Sequence, residues 1–159
     1  MLSKVSIFQT KDQLSFLIIR ILVGCVFVSE GIQKFLFPES VGSGRFLKIG
    51  IPFPEFTANF VGTVEIACGL LVLMGLLTKL AVIPLIVIML TAIATTKIPI
   101  FMESGFWKMA HDSRTDFAML LSCLFLLING AGKPSLDLFI LRRNFNDRSQ
   151  VRPEFASIR

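Results

Sequence analysis

The sequence predicts an all-α fold: a four-helix transmembrane bundle with interfacial outer loops and both termini in the cytoplasm. Hydrophobic residues make up 53% of the 159 residues and charged residues only 17%. Soluble domains typically contain about 25% charged residues. The apolar residues are concentrated in runs that are long enough for a helix to cross roughly 30 Å of hydrocarbon. Strict alternation of apolar and polar residues, typical of transmembrane strands, is absent from these runs.

Three of the four spans are predicted from apolar length alone. They cover residues 14–37, 56–77 and 79–96. Each is close to the length of about 20 residues that a membrane-crossing helix needs. The first run is too long for the apolar region of a cleavable signal peptide, so we expect it to remain as a span.

The fourth span is predicted over residues 113–131. Its uninterrupted apolar stretch, residues 117–128, is too short to cross the membrane by itself. Arg114 and Asp116 must therefore lie at the membrane boundary or inside it. Charges at that depth need partners or water.

These spans divide the chain into a cytoplasmic N-terminus (residues 1–13), a transmembrane domain (14–131) and a basic cytoplasmic tail (132–159). Nine Lys and Arg residues flank the spans on the side of the termini, against six on the other side. The positive-inside rule therefore places both termini in the cytoplasm. Aromatic residues in the outer loops 50–55 and 99–109 predict that these loops lie at the lipid–water interface. The predicted location is the plasma (inner) membrane, as a multi-pass protein.

Composition and motifs exclude several classes of function. The net charge of +5 comes from residues at the ends of apolar runs and in the tail, so nucleic acid is not an expected partner. A single histidine excludes most metal sites built from several imidazoles, and no metal is expected. Cys25, Cys68 and Cys123 form no CxxC pair and are interpreted as small buried apolar residues. Residues 135–143 form either a short helix on the inner surface or a solvated basic tail.

One stripe of the first predicted helix carries two basic residues, two glycines and a phenylalanine. Its members are Arg20, Gly24, Phe27, Gly31 and Lys34. Glu30 lies four residues before Lys34, the favourable order for an ion pair. Gly62 and Gly69 give the second span a similar face around Glu65. Since glycines let helices approach closely, we expect Gly24, Gly31, Gly62 and Gly69 to mediate helix packing.

Most ionisable residues of the spans fall towards the outer end of the predicted bundle. Arg20 lies near the inner end and is expected to be a structural intramembrane charge. The outer residues are either an ion-pair network that sets helix register or a polar, water-reachable pocket. As candidates for a ligand or proton site we take Glu30, Lys34, Glu65, Thr95, His111, Arg114 and Asp116.

Three segments carry a family resemblance: LIIRILVGCVFVSEGIQKF, GIPFPEFTANFVGTVEIACGLLVLMGLLTKLA and FWKMAHDSRTDFAMLLSCLFLLINGAGKPSLD, which together cover residues 17–137. In their order and spacing the chain resembles the DoxX family of small four-span membrane proteins. The family is associated with a terminal quinol oxidase and a thiosulfate:quinone oxidoreductase system, which implies a redox partner role. The resemblance also implies recurrent family positions at Arg20, Gly31, Lys34, Glu65, Gly69, Arg114 and Asp116.

The expected function is an accessory subunit of a quinone-linked or redox-related membrane complex, with a polar pocket at the outer end of the bundle. A quinone is the one cofactor considered. The alternative is a non-catalytic membrane scaffold or assembly factor. A transporter would require oligomerisation, and a disulfide-exchange enzyme lacks neighbouring cysteines. No self-contained catalytic motif occurs, so enzymatic activity is left open. The expected partners are the lipid bilayer, other membrane or redox proteins, and further copies of the chain.

Overall fold

The computed structural model describes residues 12–140, with side chains from residue 14 onwards. Within this range the chain is helical without strands, so the predicted all-α class is confirmed there. The helices are α1 (Asp12–Leu36), α2 (Ser43–Lys48), α3 (Pro54–Met74) and α4 (Thr78–Asn129). Residues 136–140 are again helical. Seven of the nine lysines and arginines on which the orientation prediction rests lie outside the described residues, as does the end of the segment 135–143.

Three of the described helices are long and apolar enough to cross a membrane. Large apolar side chains cover their outer surfaces: on α4, for example, Leu80 and Leu90 are 62% and 51% exposed. Soluble monomers rarely expose apolar patches of more than a few hundred Å². This surface therefore suits hydrocarbon and not water. The three stretches are Leu14–Leu36, Pro54–Met74 and Thr78–Asn129.

Helix α4 bends back on itself at Gly105. A straight helix of its 52 residues would be roughly 78 Å long, more than twice the thickness of the hydrocarbon core. Gly105 has φ 79° and ψ 177°, a conformation that essentially only glycine adopts. The residues before this break (78–104) are termed α4a, and those after it (106–129) are termed α4b.

The two halves of α4 run antiparallel. Lys79 Nζ donates a hydrogen bond to the carbonyl oxygen of Ile128 at 3.0 Å. Lys97 Nζ lies 3.0 Å from Asp116 Oδ2. These contacts join an early residue of α4a to a late one of α4b, and a later residue of α4a to an earlier one of α4b. The end of the bundle near Gly105 and α2 is termed the hairpin end, and the opposite end is termed the terminal end.

The predicted outer loop at residues 99–109 is wrong, and so is the predicted start of the fourth span near residue 113. The chain is helical on both sides of Gly105, and Pro99 lies inside α4. The predicted third span ends at residue 96, three residues before this proline. A helix interior can accommodate a proline by giving up one backbone hydrogen bond, whereas the chain reversal needs the positive φ of the glycine.

Helices α1 and α3 approach each other through glycines. A Cβ atom built on Gly31 would lie 2.6 Å from the carbonyl oxygen of Gly62, and one on Gly69 would lie 3.1 Å from that of Gly24. Real side chains do not tolerate the first of these distances, and the second is tight. The four glycines expected to mediate packing therefore lie at one helix contact, where a larger side chain would separate the backbones.

Arg20 connects three parts of the chain at the terminal end. Its guanidinium donates hydrogen bonds to the carbonyl oxygens of Val72 (2.9 Å), Leu73 (2.6 Å), Ala131 (3.4 Å) and Pro134. Val72 and Leu73 belong to the last turn of α3, where carbonyl oxygens have no partner within the helix. One buried cation thus serves both the end of α3 and the chain that follows α4.

The chain after α4 also packs against the terminal end. Asp137 accepts hydrogen bonds from the backbone N–H groups of Leu77 (2.8 Å) and Thr78 (3.4 Å), and its own N–H donates to the carbonyl oxygen of Gly75. A carboxylate at the start of a helix satisfies N–H groups that lack a helical partner. The first residues of the predicted tail are therefore part of the folded bundle.

An apolar core fills the bundle between the helices. It combines side chains of α1, α3 and both halves of α4, all less than 9% exposed. Its members are Val23, Phe27, Val72, Ala81, Val82, Leu85, Met89, Met119, Cys123 and Leu126. Arg20 binds the carbonyl oxygen of Val72, and Leu126 lies two residues before Ile128, which Lys79 binds. This core therefore begins at the terminal end.

Candidate functional site

A cavity of about 790 Å³ lies between the helices towards the hairpin end. Its walls come from α1, α3, α4a, α4b and the segment that contains α2. Phe27, Met89 and Met119 belong both to the apolar core and to the cavity wall, so they form the floor. The volume lies within the range of about 300–1,000 Å³ that is common for small-molecule sites.

Five of the seven candidate site residues line this cavity, and two do not. His111 and Arg114 are exposed on α4b, and Arg114 Nη1 lies 3.4 Å from His111 Nδ1. Helical periodicity explains the division, because positions 112, 116 and 119 share one face of α4b and positions 111 and 114 lie to its side. The candidates on the cavity wall are Glu30, Lys34, Glu65, Thr95 and Asp116.

A buried ion pair stands in the cavity wall. Lys34 Nζ lies 2.6 Å from Glu65 Oε2, and the two residues are only 8% and 3% exposed. The close approach of α1 and α3 at Gly31 and Gly62 brings the two side chains together. The expected pairing of Glu30 with Lys34 is thus replaced by a pairing between helices. That choice leaves neither Lys34 nor Glu65 as an isolated charge in apolar surroundings.

Glu30 and Arg45 also line the cavity. Neither side chain forms an ion pair with another described residue. A carboxylate only accepts hydrogen bonds, whereas a guanidinium only donates them. The cavity therefore offers a ligand one acceptor and one donor group that the fold itself does not engage.

A second ion pair connects the two halves of α4 at the cavity. Lys97 and Asp116 pair at 3.0 Å, with side chains 13% and 25% exposed. The sequence predicts Lys97 outside the spans, directly after the third one (79–96). Its position near the outer end of an antiparallel helix, level with Asp116, was the signal that could have found it. For Arg45 no such signal exists, because its position depends on α2, which the sequence pattern did not predict.

Thr91 and Thr95 of α4a also line the cavity. Thr91 Oγ1 donates to the carbonyl oxygen of Val87 at 2.9 Å, and Thr95 Oγ1 donates to that of Thr91 at 2.8 Å. Because each hydroxyl proton is used within the helix, the lone pairs remain for a ligand. This stretch of the wall can accept hydrogen bonds without carrying charge.

All three cysteines and the single histidine lie within residues 12–140. No group of three or more His, Cys, Asp or Glu side chains in this range could hold a metal ion. The three cysteines are free: Cys25 is exposed, Cys68 half-buried and Cys123 buried. The interpretation as a small buried residue therefore fits Cys123 but is wrong for Cys25.

Known proteins with similar sequences fall within one family. The DoxX family model matches residues 15–98. A Mycobacterium tuberculosis (strain H37Rv) protein named "Uncharacterized membrane protein Rv3486" is 50% identical over 135 residues, which cover 81% of this chain and 83% of that protein. A Bacillus subtilis (strain 168) protein named "Putative oxidoreductase CatD" is 26% identical over 134 residues, which cover 84% and 92%, respectively. No solved structure is significantly similar to the chain.

Proposed function

The chain belongs to the DoxX family of membrane proteins, as its sequence predicts, and on this premise we propose that its cavity binds a quinone. In this proposal the protein is an accessory subunit of a quinone-linked or redox-related membrane complex. It holds the quinone head group at the hairpin end of the bundle. A redox partner protein supplies or removes the electrons.

We further propose that the chain crosses the membrane four times. The helical segments 78–104 and 106–129 would be roughly 40 and 36 Å long, so each can cross about 30 Å of hydrocarbon. Together with α1 and α3 they make four antiparallel spans. Both termini then share one side, and the positive-inside rule favours the cytoplasm of a plasma (inner) membrane.

The composition of the cavity wall is the observation that carries the quinone proposal. A quinone head is a flat apolar ring with two carbonyl oxygens, and the cavity combines apolar side chains such as Phe46 and Val61 with a few polar groups. Arg45 and Lys34 can donate hydrogen bonds to carbonyl oxygens. Glu30 can accept one from a quinol hydroxyl. Apolar walls with a small number of placed polar groups are typical of small-molecule sites.

Reduction of a bound quinone to a quinol consumes two electrons and two protons. The chain offers Glu30 and the Lys34–Glu65 pair as groups that can hold or release a proton next to the ring. Asp116, although paired with Lys97, lies on the same wall. The name of the 26% identical Bacillus subtilis protein contains the word oxidoreductase, which supports a redox setting for this site.

The test measures binding of decylubiquinone to the purified protein in detergent. Glu30→Gln and Arg45→Gln should each weaken binding by about 10- to 100-fold, the equivalent of one lost hydrogen bond to a charged group. Both residues lack ion-pair partners, so these changes should leave the fold intact. Glu55→Gln and Lys48→Gln are matched controls, since both residues are exposed near the hairpin end and neither lines the cavity.

If both cavity variants bind decylubiquinone as tightly as the wild-type protein, the quinone does not occupy this cavity. Absence of binding to the wild-type protein would remove the quinone altogether. Glu65→Gln is less informative as a first test, because breaking a buried ion pair also changes stability.

A scaffold or assembly factor is the second candidate, and the tip of the α4 hairpin favours it. Met102 and Trp107 are 80% and 84% exposed beside Gly105, and Trp is enriched both at membrane interfaces and at protein contacts. Purification of the tagged protein from native membranes distinguishes the two functions. Stoichiometric partners without quinone, lost in Trp107→Ala, would favour the scaffold.

A further inference from the structure

The cavity wall reaches the outer surface of α4a. Exposed large apolar side chains recur on this helix at spacings of three and four residues, as at Ile83, Val87 and Leu90. Such spacing defines one helix face. Val87 lies in the middle of that face, is 57% exposed, and also lines the cavity. Thr91, one turn further on, is likewise both exposed and part of the wall.

Helix α3 also has an exposed apolar residue that lines the cavity. Phe60 is 59% exposed, lies one turn after the exposed Phe56 and stacks on it with a centroid distance of 6.2 Å. Phe60 also lines the cavity. In contrast, every cavity residue of α1 is buried or half-buried. The exposed large apolar residues of the cavity wall therefore lie on α3 and α4a and not on α1.

This side of the cavity lies at the depth of the hydrocarbon. Val87 precedes Gly105 by 18 residues, which corresponds to roughly 27 Å along the helix. The charged cavity residue Arg45 is on α2 at the hairpin end, and Lys34 is in the last turn of α1 beside it. Along α4a, the polarity of the cavity wall thus falls from Lys97, eight residues before Gly105, towards Val87.

We infer that the cavity opens sideways into the bilayer between α3 and α4a, and that its ligand is a lipid-soluble molecule with a polar head and a hydrocarbon tail. The head lies among the charges at the hairpin end. The tail leaves the protein between Phe60 and Val87. An isoprenoid quinone and a phospholipid share this chemistry. The quinone head rests on the proposed function, but the lateral opening rests on the position and exposure of the wall residues.

The opening can be tested without any quinone. The protein is placed in vesicles of phosphatidylcholine that carries a diazirine at the end of one acyl chain, and labelled residues are mapped by mass spectrometry after illumination. Met89 and Met119 are buried but line the cavity, whereas Cys123 and Leu126 are buried and do not. We expect label at the two methionines and not at the second pair. Label confined to the exposed outer side chains would overturn the lateral opening.

Two tryptophan variants sharpen the result. Val87→Trp should narrow the gap and lower labelling of Met119 several-fold relative to the wild-type protein. Leu90→Trp is the matched control, because Leu90 is 51% exposed on the same face but does not line the cavity. Equal labelling of Met119 in both variants would contradict entry at Val87.

Quinone binding separates the two proposals. Decylubiquinone should bind at least several-fold more tightly than the same benzoquinone without its tail, and Val87→Trp should reduce that advantage. Cavity labelling without quinone binding would support the opening, assign the cavity to phospholipid and overturn the quinone proposal. If the quinones with and without the tail bind equally well and the cavity is not labelled, the lateral opening is overturned and the quinone proposal stands.

Discussion

Lys34 of α1 and Glu65 of α3 form an ion pair of 2.6 Å on the wall of the cavity. Each charge would be costly in apolar surroundings by itself, and the pair offsets that cost. The ammonium has three donors and the carboxylate two oxygens, so both groups keep hydrogen-bonding capacity beyond their mutual contact. The same pair can therefore hold α1 to α3 and bind a ligand in the cavity.

We expect Lys34→Met and Glu65→Leu each to lower the free energy of unfolding by about 3–5 kcal/mol, because each leaves one buried charge without a partner. The double variant Lys34→Met/Glu65→Leu should recover most of that loss. Unfolding in detergent, followed by circular dichroism, measures both effects.

The control for this prediction is Lys108→Met. Lys108 pairs with Asp112 four residues away, and its side chain is 59% exposed, so the change should stay below about 1 kcal/mol. Single cavity variants that unfold like the wild-type protein would refute a stabilising role for the Lys34–Glu65 pair. A stable double variant that still binds quinone normally would exclude the pair from the ligand site.

The stability of the protein should depend on both the charge of Arg20 and the planar shape of its guanidinium group. Arg20→Met removes the guanidinium donors to the carbonyl oxygens of Val72 and Leu73, and we expect about 3 kcal/mol of destabilisation. Arg20→Lys keeps the charge but lacks the planar guanidinium, so it should recover only part of the loss. Arg45→Met, on an exposed side chain, is the control. Equal melting temperatures for Arg20→Met and Arg45→Met would contradict the connecting role of Arg20.

Gly105→Ala should destabilise the α4 hairpin by about 1–3 kcal/mol through backbone conformation alone. A Cβ atom at this position would have no heavy atom within 4 Å, so steric contact cannot be the cause. The adjacent change Ser104→Ala should alter the melting temperature little. If Gly105→Ala and Ser104→Ala have the same melting temperature, the chain reversal at Gly105 does not depend on a glycine-specific conformation.

The Lys97–Asp116 pair should respond to charge reversal. Lys97→Asp places two carboxylates together between α4a and α4b, and we expect a loss of about 2 kcal/mol. Lys97→Asp combined with Asp116→Lys restores opposite charges and should regain most of the melting temperature. A double variant no better than Lys97→Asp would show that the contact does not stabilise the hairpin.

The sequence predicted which charged residues lie in the spans more accurately than it predicted their ion-pair partners. Apolar length placed the first helix correctly to within two residues at each end, residues 14–37 against Asp12–Leu36. The cost of an isolated intramembrane charge identified Glu65 and Lys34 as residues that need a partner, but sequence spacing favoured Glu30 as the partner of Lys34. Partner choice depends on where two helices cross, and a single sequence does not state that crossing.

The sequence by itself determined the all-helical class, the apolar surface and which residues in the spans need a partner. These properties depend on local composition and on the cost of charge in hydrocarbon, so each run of residues carries them. Only the tertiary structure decided that α4 continues past Pro99 to Gly105, that Lys97 contacts Asp116, and that a cavity remains between the helices. The physical reason is that the pairing and the cavity arise from the register and separation of helices distant in sequence. The bend at Gly105 instead depends on one backbone conformation that the antiparallel packing of α4a and α4b requires.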